Sequence, residues 1–464
     1  VMTWGVNLGS NRPGIPGIAD FDGDGLAEVY LKNRIYAAES GALLADEGGD
    51  WNTEVNSAPV AVNILPGSPN LELVSGNLIY NVPSLAGRSL VSLSVAQDMN
   101  ALGLDQYYPK VLNDVFEYGI TNFSSTSVAD FDDDGRLDVF LSGALGTTNG
   151  HTAVFYWNVA NGTVGTFLPT HPDTGTGANT VSYPNGWPWG TGRVNLGELD
   201  ADGILEANFI AGNQLYALEE SGAGQLVQLW GGPKTLNDFR SGVVTTTVYD
   251  FDNDGNYELV YRDTEVLSII DGQTGLITKW SVPCQSHTMT EGPIIADVNG
   301  DGATDICVPC YTNTGKGSFS VNDPLQQQAL GEIRLFYSNE NAWLPSRKVY
   351  NQPGYFVVNI NDDLTIPFPQ LDQTMVFGSG SCSNGIPGPQ QPLNTYLNQV
   401  PTINADGCPV YPGPDIEFVG NDPNLNPGDP GYVDPSDPNY FPAVEVIPPI
   451  CGDLAIVVNF NIIN

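Results

Sequence analysis

Apolar and polar positions alternate along this chain with a short period. Runs rich in Val, Ile, Leu, Tyr and Phe are separated by clusters of Gly, Pro, Asn and Asp, the pattern of strands joined by turns rather than of helices. The first unit sets the grammar. Gly17-Ile18-Ala19 leads into a polar loop from Asp20 to Glu28, the chain continues as a strand to Leu31, Arg34-Ile35-Tyr36-Ala37 forms the next, and Glu39-Ser40-Gly41 turns it. Further units start near Ser57, Ser125, Arg193, Val243 and Glu291, and four of them carry outer hairpins opening on Ala153 to Trp157, Gln214 to Leu218, Val266 to Ile270 and Ile333 to Tyr337. Self-similarity at about 40–60 residues with about four strands per copy predicts an all-β propeller or array. Val1 to Leu8 together with Gly354 to Pro367 would supply a further blade from the two ends, so a seven-bladed β-propeller is expected ahead of a six-bladed one.

The polar loops carry the chemistry. Asp20 to Glu28 (DFDGDGLAE) returns as Asp130 to Asp138 (DFDDDGRLD), Glu198 to Glu206 (ELDADGILE), Asp250 to Glu258 (DFDNDGNYE) and Asp297 to Asp305 (DVNGDGATD). Positions 1, 3 and 5 are oxygen donors: Asp20, Asp22, Asp24; Asp130, Asp132, Asp134; Glu198, Asp200, Asp202; Asp250, Asp252, Asp254; Asp297, Asn299, Asp301. Position 7 offers a backbone carbonyl (Leu26, Arg136, Ile204, Asn256, Ala303), and position 9 adds a carboxylate (Glu28, Asp138, Glu206, Glu258, Asp305). An oxygen-only set suits a hard cation such as Ca2+, and without one the carboxylates repel each other. An EF-hand would need a bidentate Glu at position 12 and flanking helices. Position 12 is Leu31, Leu141, Phe209, Tyr261 and Val308, so each loop runs into an apolar strand.

On these loops the chain resembles the FG-GAP or VCBS repeats of integrin α-subunit propellers and bacterial surface proteins, over about residues 14–345. The resemblance implies Ca2+ held between the first two strands of a blade, at up to five sites. Glu stands at position 9 in three loops and at position 1 of the third, so the Glu198 to Glu206 loop fits the family pattern least. The second unit keeps its strands, Pro59 to Val62, Leu71 to Val74 and Leu78 to Tyr80, but carries Leu65-Pro66-Gly67-Ser68-Pro69 for a loop, and no metal is expected there.

Trp343 to Gln352, Val357 to Pro367, Pro392 to Gln399 and Asp406 to Pro409 are similar to very large surface adhesins of gliding bacteria exported by the type IX system. From Phe377 the composition turns to Gly, Pro, Asn and Asp, too poor in apolar residues for a core of its own. The last residues alternate like the first strand of a β-sandwich. The expected organisation is a propeller over 1–376, a Pro/Gly/Asp-rich linker or extended segment over 377–450, and the start of an Ig-like β-sandwich over 451–464, within a larger polypeptide.

Charge narrows the partners. Asp and Glu number 53 against 15 Lys and Arg, a net charge of −38, which excludes a nucleic-acid binder. Five divalent ions would offset about a quarter of that, and the rest reads as a solvated acidic surface. No run approaches the ~18–20 apolar residues of a membrane span. Six cysteines suit an oxidising compartment and leave many pairings open. Cys382 with Cys408 is the candidate disulfide, whereas Cys307 and Cys310, three apart on a strand, point to opposite faces. Tyr107 and Tyr108, with Trp187 and Trp189, lie in two insertions and are candidate ligand-contact aromatics; the plainer reading is that they cover an apolar patch of their own units.

These features lead to a non-catalytic, calcium-stabilised module of an extracellular or bacterial cell-surface protein, with a protein or surface-glycan partner. The alternatives are an extracellular propeller enzyme such as a polysaccharide lyase, or a docking hub for a secretion or motility complex. No catalytic residue is assigned. The three histidines, His151, His171 and His287, form no motif with a nucleophile, and the acidic pairs are mostly committed to the loops.

Overall fold

The structure, a computed structural model, describes residues 4–5, 14–47, 57–102, 124–145, 151–167, 191–236, 244–285, 292–311, 331–338, 343–374, 394–402 and 458–461, apart from 223, 253 and 368. It is all-β, with six sheets of four or five strands. The first runs Gly17–Ala19, Glu28–Leu31, Arg34–Ala37, Leu43–Asp46, with Val91–Ser92 parallel at its outer edge. The second runs Val60–Val62, Glu72–Ser75, Leu78–Asn81, Ser94–Asp98. The third runs Ser124–Ala129, Asp138–Leu145, His151–Asn158, Thr163–Phe167, with Ser57–Ala58 parallel at its inner edge. The fourth runs Asn195–Gly197, Glu206–Ala211, Gln214–Glu220, Leu226–Gln228, the fifth Thr247–Tyr249, Glu258–Arg262, Val266–Asp271, Leu276–Pro283. The sixth runs Ile294–Ala296, Asp305–Tyr311, Gly331–Tyr337, Val458–Asn461.

Second strands such as Glu206–Ala211 and Glu258–Arg262 are buried at every residue. Their apolar residues therefore face both sides, since both faces of the sheet are covered, and buried polar residues among them are bonded inside, as Asn208 Nδ2 is to Asn195 Oδ1 (3.2 Å). The first strands follow one another from Gly17–Ala19 through Val60–Val62, Ser124–Ala129, Asn195–Gly197 and Thr247–Tyr249 to Ile294–Ala296. Small polar side chains join them: Ser127 Oγ donates to the Val194 carbonyl (2.6 Å) and Thr247 Oγ1 to that of Pro293 (2.6 Å). The sixth and first sheets are linked through Arg347–Gln352. The Arg347 carbonyl accepts from Asp297 N–H (3.1 Å), and Gln352 Oε1 accepts from Ile18 N–H (2.8 Å).

Aromatics fill the spaces between neighbouring sheets. Trp280 meets Phe336 edge-on at 5.4 Å, Trp343 meets Phe251 at 4.8 Å, and Trp230 Nε1 donates to the Gly272 carbonyl. Cys284 and Cys310 form a disulfide between the fifth and sixth sheets, and Cys307 is a half-buried free thiol. The candidate pair Cys382 and Cys408 lies outside the described residues.

The end of the chain departs from expectation in three places. Gly354 to Pro367 forms no strand of a further sheet; it turns through a short 3-10 segment, Val357–Asn359, around the Arg347 guanidinium. That group donates to the carbonyls of Val357 (2.9 Å) and Ile360 (2.8 Å), to Tyr355 Oη (3.0 Å) and to Asp362 (2.7 Å). These bonds hold the segment in its turned path against Arg347. Within the stretch read as a linker, residues 394–402 are largely buried along the first strands of the third to sixth sheets. Asn394 exchanges two hydrogen bonds with the Asp130 backbone, Tyr396 pairs with Leu196, and Gln399 N–H donates to Val248 and its Nε2 to Ile295. Finally, the terminal alternation expected to open a sandwich places Val458–Asn461 as the outer strand of the sixth sheet. Among the described residues, no helix is long and apolar enough to cross a membrane.

Candidate metal centres

Each acidic loop joins the first and second strands of its sheet, and all five share one backbone frame. The first carboxylate is held by N–H groups of the turn: Asp20 by Gly23 (2.8 Å) and Gly25 (2.9 Å), Asp130 by Gly135 (2.8 Å), Glu198 by Gly203 (2.8 Å), Asp250 by Gly255 (3.1 Å), Asp297 by Gly302 (3.1 Å). The sixth-position glycines sit at φ between 83° and 89°, the left-handed region that a side chain would strain. Position 9 opens the second strand opposite the last residue of the first, as in Ala19 with Glu28. One of its oxygens accepts the N–H of position 2: Glu28 from Phe21 (3.1 Å), Asp138 from Phe131 (3.0 Å), Glu206 from Leu199 (2.6 Å), Glu258 from Phe251 (3.0 Å), Asp305 from Val298 (2.9 Å).

This frame gathers carboxylates that could hold a metal ion. Oxygens of Asp20, Asp22 and Asp24, of Asp130, Asp132 and Asp138, of Glu198, Asp200, Asp202 and Glu206, and of Asp250, Asp252 and Asp254 lie within 4.8 Å of one another in each group. The loop least like the family pattern thus collects the fullest set. The extra methylene of Glu198 is absorbed in the turn, where its carboxylate still reaches Gly203 N–H. In the fifth loop, Asn299 Nδ2 donates to Asp301 (2.8 Å), and exposed Lys348 Nζ lies 3.6 Å from Asp297. At position 7, the side chains of Leu26, Arg136 and Ile204 are exposed, Asn256 is half-buried and Ala303 buried. Asp134 belongs to the second frame through its N–H on Asp130 (3.0 Å) rather than through the gathered carboxylates.

Burial sets the electrostatics. It pushes Asp138 up to about 8 and Glu206 to about 10, the latter helped by the neighbouring charges of Glu198 and Asp200. Burial likewise raises Asp130 and Asp305 to about 6 and Glu28 to about 7. Asp22 Oδ1, Asp132 Oδ1, Asp138 Oδ1, Asp200 Oδ1, Glu206 Oε1 and Asp305 Oδ1 are buried without a hydrogen-bond donor. Acceptor atoms of this kind cost free energy unless a cation or proton meets them, and an all-oxygen donor set fits a hard cation.

Glu72 escaped the sequence pattern. It faces Val62 as Glu28 faces Ala19, and its Oε2 accepts the N–H groups of Ile64 (3.0 Å) and Leu65 (3.1 Å). Its loop is one residue longer than the others, so a nine-residue template passes over it; the signal is the acidic residue opening a second strand. Tyr107, Tyr108, Trp187 and Trp189 lie outside the described residues.

Comparison with protein-family models and with curated sequences gave no match. Among solved structures, the chain is similar to the Vibrio cholerae biofilm matrix protein Bap1, at 15% identity over 87% of this chain and 78% of that one, with a TM-score of 0.44. It is also similar to an Agrocybe aegerita lectin that recognises non-reducing terminal N-acetylglucosamine (13% identity, 71% of this chain and 88% of that one, TM-score 0.35). A third is the WD40 domain of SCAP from fission yeast (10% identity, 71% and 68%, TM-score 0.29). At these TM-scores the likenesses carry no argument about function, which rests on the chain's own residues.

Proposed function

We propose that this chain is a calcium-stabilised β-propeller of six blades, a non-catalytic module of a secreted or cell-surface protein that presents its faces to a protein or glycan partner. The observation that carries the reading is the recurrence of one acidic frame in five of six sheets, with buried carboxylate oxygens left without donors in the first, third, fourth and sixth. The succession of first strands and the bridge from the sixth sheet to the first support the closed ring. Ca2+ would supply the positive charge those oxygens face, and the first, third, fifth and ninth positions would hold it. The chain's own contribution is the frame: backbone N–H groups fix the first and ninth carboxylates and tie the first strand of each blade to the second.

Resemblance of 343–367 and 392–409 to surface adhesins of gliding bacteria supports adhesion as the role. Arg347, Gln352, Asn394 and Gln399 from those stretches work inside the ring, so the resemblance covers residues that hold the module together. Calcium titration of the metal-stripped protein, followed by thermal melting, tests the reading: stabilisation is the expected result, and a Tm indifferent to both calcium and chelator would overturn it. Binding to a glycan or surface array separates adhesion from docking of accessory proteins, and turnover of an acidic polysaccharide would make the module an enzyme.

A further inference from the structure

At the first acidic loop the ninth-position carboxylate has a cationic partner that those of the second and third loops lack, while Asp22 Oδ1 stays without a donor as Asp132 Oδ1 and Asp200 Oδ1 do. The connection from Leu78–Asn81 of the second sheet to Val91–Ser92 of the first carries Ser84 to Arg88, which docks onto this first loop, anchored by buried Leu85. Asp22 Oδ2 accepts from Ser84 Oγ (2.8 Å) and from the N–H groups of Leu85 and Ala86 (2.8 Å for Ala86). Arg88 reaches the ninth-position carboxylate: its Nη1 pairs with Glu28 Oε1, while Nη2 lies 3.4 Å from Glu39. Glu28 is fully buried, and its other oxygen is taken by Phe21 N–H. Both oxygens of this carboxylate therefore have donors, unlike those of Asp138 and Glu206.

A guanidinium is charged at every relevant pH and offers a rigid fork of N–H donors. Against a buried carboxylate it supplies the compensating charge that a cation would supply elsewhere. We propose that Arg88 takes the place of a metal ion at the first loop, so that this loop is closed by the protein's own cation while the loops without such a partner bind calcium. The second unit, which has no acidic loop of its own, thereby contributes the counter-charge for its neighbour. The inference rests on the calcium reading for the remaining loops.

Counting bound Ca2+ by native mass spectrometry in the wild type and in Arg88→Gln tests it. The expected result is one more ion per chain in R88Q, which exposes the Glu28 carboxylate, and a lower Tm for R88Q in excess chelator, where the wild type keeps its internal cation. An equal, non-zero count in both proteins overturns the assignment of Arg88 and leaves the calcium reading standing. No calcium in either overturns the calcium reading, and this inference with it. Should R88Q fail to fold, Glu28→Gln decides: an unchanged ion count supports the proposal, and loss of one ion overturns it.

Discussion

The first and third acidic loops have the same turn and different surroundings. Both hold their first carboxylate on the glycine N–H and their ninth on the N–H of position 2. In the first, Arg88 arrives on the connection between the second sheet and the outer strand of the first. In the third, the nearby Glu219 adds to the negative charge; burial, with Asp202 and Asp200, raises its own carboxyl. A nine-residue motif therefore sets the geometry of a site, while the segments packed around it set its charge. Motif counting treats the five loops alike, and the structure separates the first, whose ninth carboxylate meets a guanidinium, from the second and third, whose ninth carboxylates keep a buried oxygen without a donor.

Removing divalent ions should have the largest effect. Each loop that binds calcium contributes about 2.7 kcal/mol when the free ion is at a hundredfold excess over Kd, so several loops together should lower Tm well beyond any single substitution. Melting in calcium and in excess chelator measures this, and a small difference would bring the third loop into line with the first.

Next in size is the pH response of the stripped protein. Glu28, Asp138 and Glu206 are raised to about 7, 8 and 10, so the unfolded chain gives up its protons first. Stability should be greatest below about pH 4, decline as pH rises through the window between the unfolded and folded values, and level off above the latter. Each tenfold difference in proton affinity between the folded and unfolded chain is worth roughly 1.4 kcal/mol. Calcium should reverse the trend and release protons near pH 6.5, measurable by titration in weak buffer.

Glu206→Gln sharpens the contrast in a single residue. In chelator it should stabilise, on the order of 3 kcal/mol at pH 7, because a side chain held protonated at a cost is replaced by a neutral one. In calcium it should remove one ion and destabilise by a similar amount. The same sign under both conditions would show that the third loop is not a metal centre.

The smallest effect is expected away from the loops. Gln399→Leu would strip donors from the carbonyls of Ile295 and Val349 and an acceptor from Tyr355 Oη, costing about 1–3 kcal/mol. The number of bound ions should stay the same; a lost ion would mean that the buried 394–402 segment supports the loops directly.

Much of this was legible along the chain because it is local. The positions of the loops, the glycines that must turn with positive φ, and the apolar strands that follow are encoded within a few residues, where backbone sterics and strand period leave few alternatives. Unit boundaries followed from repetition. Glu72 was hidden only by a one-residue change in spacing.

What tertiary structure alone decided involves partners distant in sequence. Nothing near Glu28 announces that a guanidinium 60 residues on will meet it, nor does the composition around Asn394 and Gln399 announce burial at the sheets' inner edge. Arg347 binds carbonyls of the turned segment Gly354 to Pro367, and Cys310 pairs with Cys284 across two sheets. Such contacts depend on which surfaces the stacked sheets bring together. A local pattern fixes the shape of each loop, and the long-range packing fixes the charge that each loop meets.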